Sequence, residues 1–395
     1  MIANNRVLFL TSVMKMGHGV SVVLERLANE LRTLGWEIHI ASNNCDNSNL
    51  SENVHRIYAD LDSVKRIAID LDCSTVIAVT SPFFEMLPEL NSSFKTVAYE
   101  MGDPTPELFP LDGQARQLIA DHKRVNVYPH VDKILTISEF LRHDIEWLQS
   151  ESVYLGCDHV ADLGTKGLQD FPLGASRSLK IGTLMRLGEG EAHYKGLTLF
   201  ENLKSRFIGQ QVEFHIMGKG TNKDKESWEN KGYVVHLNAT DEERSLYLRQ
   251  LDVFFSPSLW EGFNLPLVEA QASGTVAIAF DVGAHPEVTP FVFKSLDEIE
   301  NQVQLWMNDF DLLKQNSAQA YVFARTKFVW SNVASTFSNQ LESLFEGKIL
   351  RFTSERKTRI KVPMARHLNA GVKCVKQHGL LYTLRLMWKK AAPKK

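Results

Sequence analysis

From residue 7 to about residue 155, short apolar runs of strand length alternate with amphipathic stretches. Residues 7–13 form the first such run, and Gly17-His18-Gly19 follows it. Val20, Leu24, Leu27, Leu31 and Leu34 then recur in steps of four and three, which puts them on one face of a helix. Gly35 ends that helix and a second strand begins at Glu37. Further strands are predicted over 75–80, 96–99 and 133–137. Apolar runs separated by helices imply a parallel sheet covered on both faces.

The alternation weakens between Leu155 and Leu179, where Gly156, Gly164, Gly167, Pro172 and Gly174 gather as in a linker. A second series follows over 179–184, 212–217, 233–237, 253–255 and 276–280. The fold class expected is α/β, with two doubly wound halves over 1–160 and 179–330 joined by a linker over 161–178. Val333, Phe337, Leu341, Leu344 and Phe345 share helical spacing and predict a closing helix over 331–347. Ligands of such sheets lie outside the carboxyl ends of the strands, so the site is expected in the cleft between the halves.

Length agrees: 395 residues exceed one ordinary core and suit two domains. A content of 44% hydrophobic and 23% charged residues is globular rather than disordered. Charge adds something new. The formal net charge is −3, yet fourteen of the 44 Lys and Arg, against one of the 47 acids, lie from Lys348 onward. The segment 348–395 therefore carries about +13 and the remainder about −16. Leu368, Val372 and Val375, and again Leu384 and Trp388, recur at helical spacing among those cations, as in a basic amphipathic helical tail. Such a tail suits an anionic membrane surface, or its own acidic body. No nucleic-acid-binding module is recognisable, so nucleic acid is not expected as a partner.

Cys45, Cys73, Cys157 and Cys374 are scattered, with no C-x-x-C pair, and read as the reduced thiols of a cytosolic protein. The apolar run 7–10 is too short for a signal peptide, and no stretch approaches ~18 consecutive apolar residues. A cytoplasmic location is expected, with the tail able to lie on the inner face of the membrane.

The chemistry concentrates after the strand 253–255. Gly262 opens a turn, and a helix is expected from Pro266, since Pro is tolerated in a first helical turn. The amides of Gly262, Phe263, Asn264 and Leu265 then suit an anion near a helix N-terminus. Glu261 and Glu269 bracket this turn at a spacing that lets both reach one cavity.

The run S-x-x-E-G-F-x-L-P-x-x-E-A-x-A-x-G-x-x-x-I from Ser258 to Ile278 resembles the E-x7-E element of glycosyltransferase family 4. That resemblance implies the GT-B fold, in which two Rossmann-like domains face each other across a cleft and the last helices cross back to the first domain. The first half would be the acceptor domain and the second the donor domain. It also implies a retaining hexosyltransferase needing no metal and no cofactor, with a UDP-, GDP- or dTDP-linked sugar as donor. Glu261 would contact the donor sugar and Glu269 the ribose. Arg186 and Lys195-Gly196 resemble the family's R…K-G pair, which clamps the donor diphosphate in place of a cation. Gly17 and Gly19 would bring the first turn to that diphosphate, with His18 facing acceptor or sugar. Gly218 lies in the family's G-x-G loop near the nucleotide, and the base is expected around 236–240. Residues 137–140 resemble the V-S-x-F segment, and Glu287 matches a family glutamate read as structural.

One departure stands out. Where relatives carry a sugar-contacting His, this chain has T-V-A-Y-E-M-G-D-P over 96–104, so Glu100 or Asp103 is expected there, unless Asp103 only turns the loop before Pro104. The D-x-D at Asp60-Leu61-Asp62 reads as a loop. The acceptor is expected to be a glycan or lipid-linked glycan of a bacterial surface polysaccharide or lipopolysaccharide. Two alternatives stay open: a nucleotide-sugar epimerase on the same fold, and a non-catalytic nucleotide-sugar binder.

Overall fold

The computed structural model describes residues 5–15, 18–109, 111–166, 178–188 and 193–345. The tail 348–395, Gly17 and Cys374 lie outside the described residues.

Two parallel sheets form. The first contains β1 (Arg6–Thr11), β2 (Glu37–Ser42), β3 (Val54–Arg56), β4 (Thr75–Ala78), β5 (Lys95–Glu100), β6 (Lys133–Thr136) and β7 (Glu151–Ser152), in the order β3-β2-β1-β4-β5-β6-β7. The second contains β8 (Leu179–Leu184), β9 (Val212–Gly218), β10 (Val234–Leu237), β11 (Val253–Ser256), β12 (Val276–Phe280) and β13 (Phe291–Phe293), in the order β10-β9-β8-β11-β12-β13. Strand order reverses beside β1 and beside β8, so each sheet has a crevice at its carboxyl edge where ligands bind in such folds.

The helix Gly19–Thr33 buries Leu24, Leu27 and Leu31 as the spacing predicts, whereas Leu34 is 47% exposed. Leu34 has already left the helical path as the C-cap. Asp60 does not sit in a loop interior: it caps the helix Leu61–Asp70, accepting from the Ser63 amide at 2.8 Å. β3, β7 and β13 escape the apolar pattern because each is two or three residues long and none is buried on both faces.

The helix Trp330–Glu342 crosses back onto the first sheet. Phe337 packs edge-on against Tyr99 at 5.1 Å and beside Phe9 at 5.9 Å. Trp36 Nε1 donates to Ser338 Oγ at 2.8 Å, so the buried indole is satisfied. Burying Phe337 contributes about 1.5–3 kcal/mol, enough to fix this crossing. Cys45, Cys73 and Cys157 are buried free thiols, and burial pushes Cys73 and Cys157 up to about 12, where they are inert. Among the described residues no helix is long and apolar enough to cross a membrane.

Candidate functional site

The loop after β11 is held from within. Asn264 adopts a left-handed backbone, φ 76, and caps the helix Leu265–Ala272 by accepting from the Leu267 amide at 3.3 Å. Its Nδ2 donates to Ser256 Oγ at 2.7 Å and to His285 Nε2 at 2.9 Å. His285 Nδ1 then donates to the Phe280 carbonyl at 2.8 Å. Burial depresses the His285 pKa, which keeps the neutral form this network needs. Phe263 is buried between the sheets, edge-on to Phe328 at 5.4 Å. Asn264 and Phe263 thus shape the loop with their side chains.

This scaffold presents Glu261, whose side chain is 13% exposed. Its Oε1 accepts from Lys195 Nζ at 2.7 Å and from Ser258 Oγ at 2.8 Å. Lys195 ends a short 3₁₀ turn, His193–Lys195. Gly196, with φ +72, follows, and a Cβ there would lie 1.9 Å from the Pro257 carbonyl oxygen. Only glycine lets the two loops approach this closely, and the approach joins Lys195 to Glu261.

Arg186 leaves β8 on the same side. His18, half-buried at the start of the first helix, has its pKa lowered by burial and then by Arg186, Lys219 and Lys15. His18 therefore faces the cations Arg186 and Lys219 of the loops after β8 and β9, and with Lys15 they outweigh Asp46, a setting that favours an anion. Lys15 and Lys219 join a set that spacing alone does not reveal. Gly19 has open space where a Cβ would be, with nothing within 4 Å. Gly218 is different: a Cβ would sit 1.7 Å from the Met185 carbonyl oxygen, so it is required for packing of β9 against the loop after β8.

Glu269 lies deeper than Glu261. It is fully buried and does not share partners with Glu261. His159 Nε2 donates to its Oε1 at 2.8 Å and Arg244 lies at 3.4 Å. Burial alone would raise its pKa, but Arg244 and His159 outweigh burial and hold it below the usual carboxylate range. Its Oε2 has no protein partner among the described residues. His159 and Arg244 carry no sequence signal, since neither stands in a motif with Glu269.

Glu100 and Asp103 both turn to Lys123. Lys123 Nζ donates to Glu100 at 3.0 Å and to Asp103 Oδ2 at 2.8 Å, and Tyr128 donates to Glu100 Oε1 at 2.8 Å. Glu100 is buried and its pKa is raised by burial, which Lys123 partly opposes. The Asp103 pKa is lowered by Lys123, and its side chain remains 61% exposed. Of the two carboxylates, Glu100 is committed to the interior and Asp103 is reachable. Lys123 escapes sequence reasoning because, in its charged stretch, it resembles a solvated helix face.

Glu287 ties the two sheets together. Its carboxylate accepts from the amides of Glu139 at 2.9 Å and Phe140 at 2.6 Å, and from Tyr154 Oη at 2.9 Å. The two amides open the helix Glu139–Asp144, which Ser138 caps, so a charge meets a helix N-terminus. Beyond β9, His236 packs against Tyr247 at 4.7 Å beside a cavity of about 260 Å³ lined also by Leu237, Ala239 and Glu243.

Residues 181–309 match the family described as Glycosyl transferases group 1. One relative, the MMP alpha-(1->4)-mannosyltransferase of Mycolicibacterium hassiacum, is 49% identical over 57 residues, 14% of each chain. Another, the lipopolysaccharide core biosynthesis mannosyltransferase LpsB of Rhizobium meliloti, is 43% identical over 53 residues, 13% of this chain and 14% of that one. The matched segments thus span about a seventh of these relatives. Anabaena HepE, solved in complex with UDP and glucose, superimposes with a TM-score of 0.68 at 14% identity, covering 86% of this chain and 100% of that one. The likeness establishes the GT-B architecture of the two facing sheets.

Proposed function

We propose that this chain, whose residues 181–309 form a group 1 glycosyltransferase domain in a GT-B fold, transfers a sugar from a nucleotide-diphospho-sugar to a glycan or lipid-linked glycan acceptor with retention of configuration. The observation that carries the proposal is the 2.7 Å contact of Lys195 with Glu261, which brings two motif residues from distant loops into one site. In this reading Glu261 accepts hydrogen bonds from the donor sugar and Glu269 from the ribose. Lys195 and Arg186 neutralise the diphosphate as it leaves, a charge that develops only as the bond breaks.

The acceptor hydroxyl oxygen forms its bond to the anomeric carbon on the face from which the phosphate oxygen departs. The bond from anomeric carbon to phosphate oxygen breaks, and the hydroxyl proton passes to the departing phosphate. No protein carboxylate acts as covalent nucleophile, and the two cations do the work a divalent metal does elsewhere. UDP, GDP and dTDP sugars all remain candidates, with the base in the cavity beside His236. The name of the LpsB relative and the basic tail both support work on a bacterial surface polysaccharide at the inner face of the membrane.

The test is release of nucleoside diphosphate from UDP-, GDP- and dTDP-sugars with and without glycan acceptors. Acceptor-dependent release that Glu261→Ala abolishes supports transfer. Conversion of the donor without acceptor would instead favour an epimerase.

A further inference from the structure

Two buried polar atoms on neighbouring side chains have no hydrogen-bond partner among the described residues: Oε2 of Glu269 and Nε of Arg244. Buried polar atoms are almost always paired in folded chains, so an acceptor and a donor left open in one place mark a spot where a ligand is received. Arg244 stands on the helix Asp241–Gln250 with its side chain 20% exposed. Its ion pairs are long, 3.7 Å to Asp241 and 3.4 Å to Oε1 of Glu269. Glu243 and Tyr247 of the same helix line the cavity beside His236. The open pair therefore adjoins the helix that walls the cavity assigned to the base.

The carboxylate is held from behind. Trp330 Nε1 donates to His159 Nδ1 at 3.1 Å. An indole N–H can only donate, so this bond leaves the proton of the neutral imidazole on Nε2, which donates to Oε1 of Glu269 at 2.8 Å. Both side chains of that bond are shielded, 3% and 1% exposed. Trp330 is itself fixed. Its amide donates to Asp158 Oδ1 at 2.8 Å, and a Cβ on Gly156 would lie 2.5 Å from its ring. Oε1 is thus taken by His159, and Oε2 is the oxygen left to accept.

We propose, resting on the transfer reading above, that Arg244 joins Glu269 in receiving two neighbouring hydroxyls of the donor's pentose, so that the donor is a ribonucleotide sugar and not a deoxyribonucleotide one. One hydroxyl donates to Oε2 of Glu269, and the other accepts from the Arg244 guanidinium. A 2′-deoxy pentose leaves one of these two buried groups unpaired, which is how a site built for a hydroxyl rejects the analogue lacking it. His159 is the positioning residue: it occupies Oε1, and Trp330 sets the tautomer that lets it do so.

The experiment titrates the full chain calorimetrically with UDP, GDP, dUDP, dGDP and dTDP. UDP or GDP should bind roughly ten-fold tighter, or more, than its own 2′-deoxy counterpart. Arg244→Met and His159→Ala should bring that ratio towards one by weakening the ribonucleotide while the deoxynucleotide binds as before. His159→Gln, which keeps a side-chain N–H donor, should recover part of the ratio. Trp330→Phe keeps a ring against Gly156 and removes only the N–H, so it should lower the ratio by less; it and Arg244→Met decide the matter if His159→Ala does not fold. A merely structural role weakens both nucleotides alike, and an unchanged ratio in these variants overturns the proposal. Equal binding of ribo- and deoxynucleotide by the wild type, or tightest binding of dTDP, overturns it too and leaves the transfer reading standing. Binding of none of the nucleotides overturns the transfer reading, and the pentose contact with it.

Discussion

Lys195 Nζ and Glu261 Oε1 stand 2.7 Å apart although 66 residues separate them in the chain. Their loops meet because Gly196 lies against the Pro257 carbonyl, where a side chain has no room. Removing either member should therefore damage turnover more than folding. Lys195→Ala and Glu261→Ala are each expected to lower kcat by about 10²–10³. Both should melt within a few degrees of the wild type, and the double variant should fall short of the product of the two losses, since the groups share one interaction. Steady-state kinetics with calorimetry on the four proteins checks this.

Glycines separate by what their missing Cβ would meet. Gly196→Ala and Gly218→Ala place a carbon 1.9 Å and 1.7 Å from carbonyl oxygens and should destabilise the fold by several kcal/mol or prevent soluble expression. Gly19→Ala meets nothing within 4 Å and should fold normally while weakening donor binding, if a diphosphate approaches that turn. Urea unfolding and donor titration of the three variants decide the matter.

Glu287 spans the two sheets through two helix-terminal amides and Tyr154. Glu287→Ala leaves those amides unpaired and should cost about 1–3 kcal/mol. Glu287→Gln, which retains an acceptor oxygen, should recover part of the loss. Equal stability of all three proteins would show that the clamp holds nothing.

Acid should weaken the fold through His215. Burial, reinforced by His236, lowers its pKa from 6.5 to about 4 in the folded chain. Between those values the unfolded chain binds the proton that the folded chain refuses, so stability falls as pH drops through that window. A His215→Asn variant should lose less stability between pH 7 and pH 5 than the wild type, measured by urea denaturation at both values.

The helix Gly19–Thr33 and the long strands were legible because their burial leaves a periodic trace. β3 and β7, too short for a period, were not. At the site, the run Ser258–Ile278 and the Lys195-Gly196 pair could be read because their elements are contiguous in sequence. Lys123, His159 and Arg244 could not, since each gains its partner only when distant segments meet. The spacing of Glu261 and Glu269 likewise told nothing of burial: one helical turn carries the second carboxylate into the interior.

The most direct test of the central claim is thermal stabilisation by UDP, GDP and dTDP, for the wild type and for Lys195→Ala. One nucleoside diphosphate, at 100 times its dissociation constant, should stabilise the wild type by about 2.7 kcal/mol and the variant by much less. No stabilisation by any of the three, or an equal effect on the variant, would contradict a donor site built on Lys195 and Glu261.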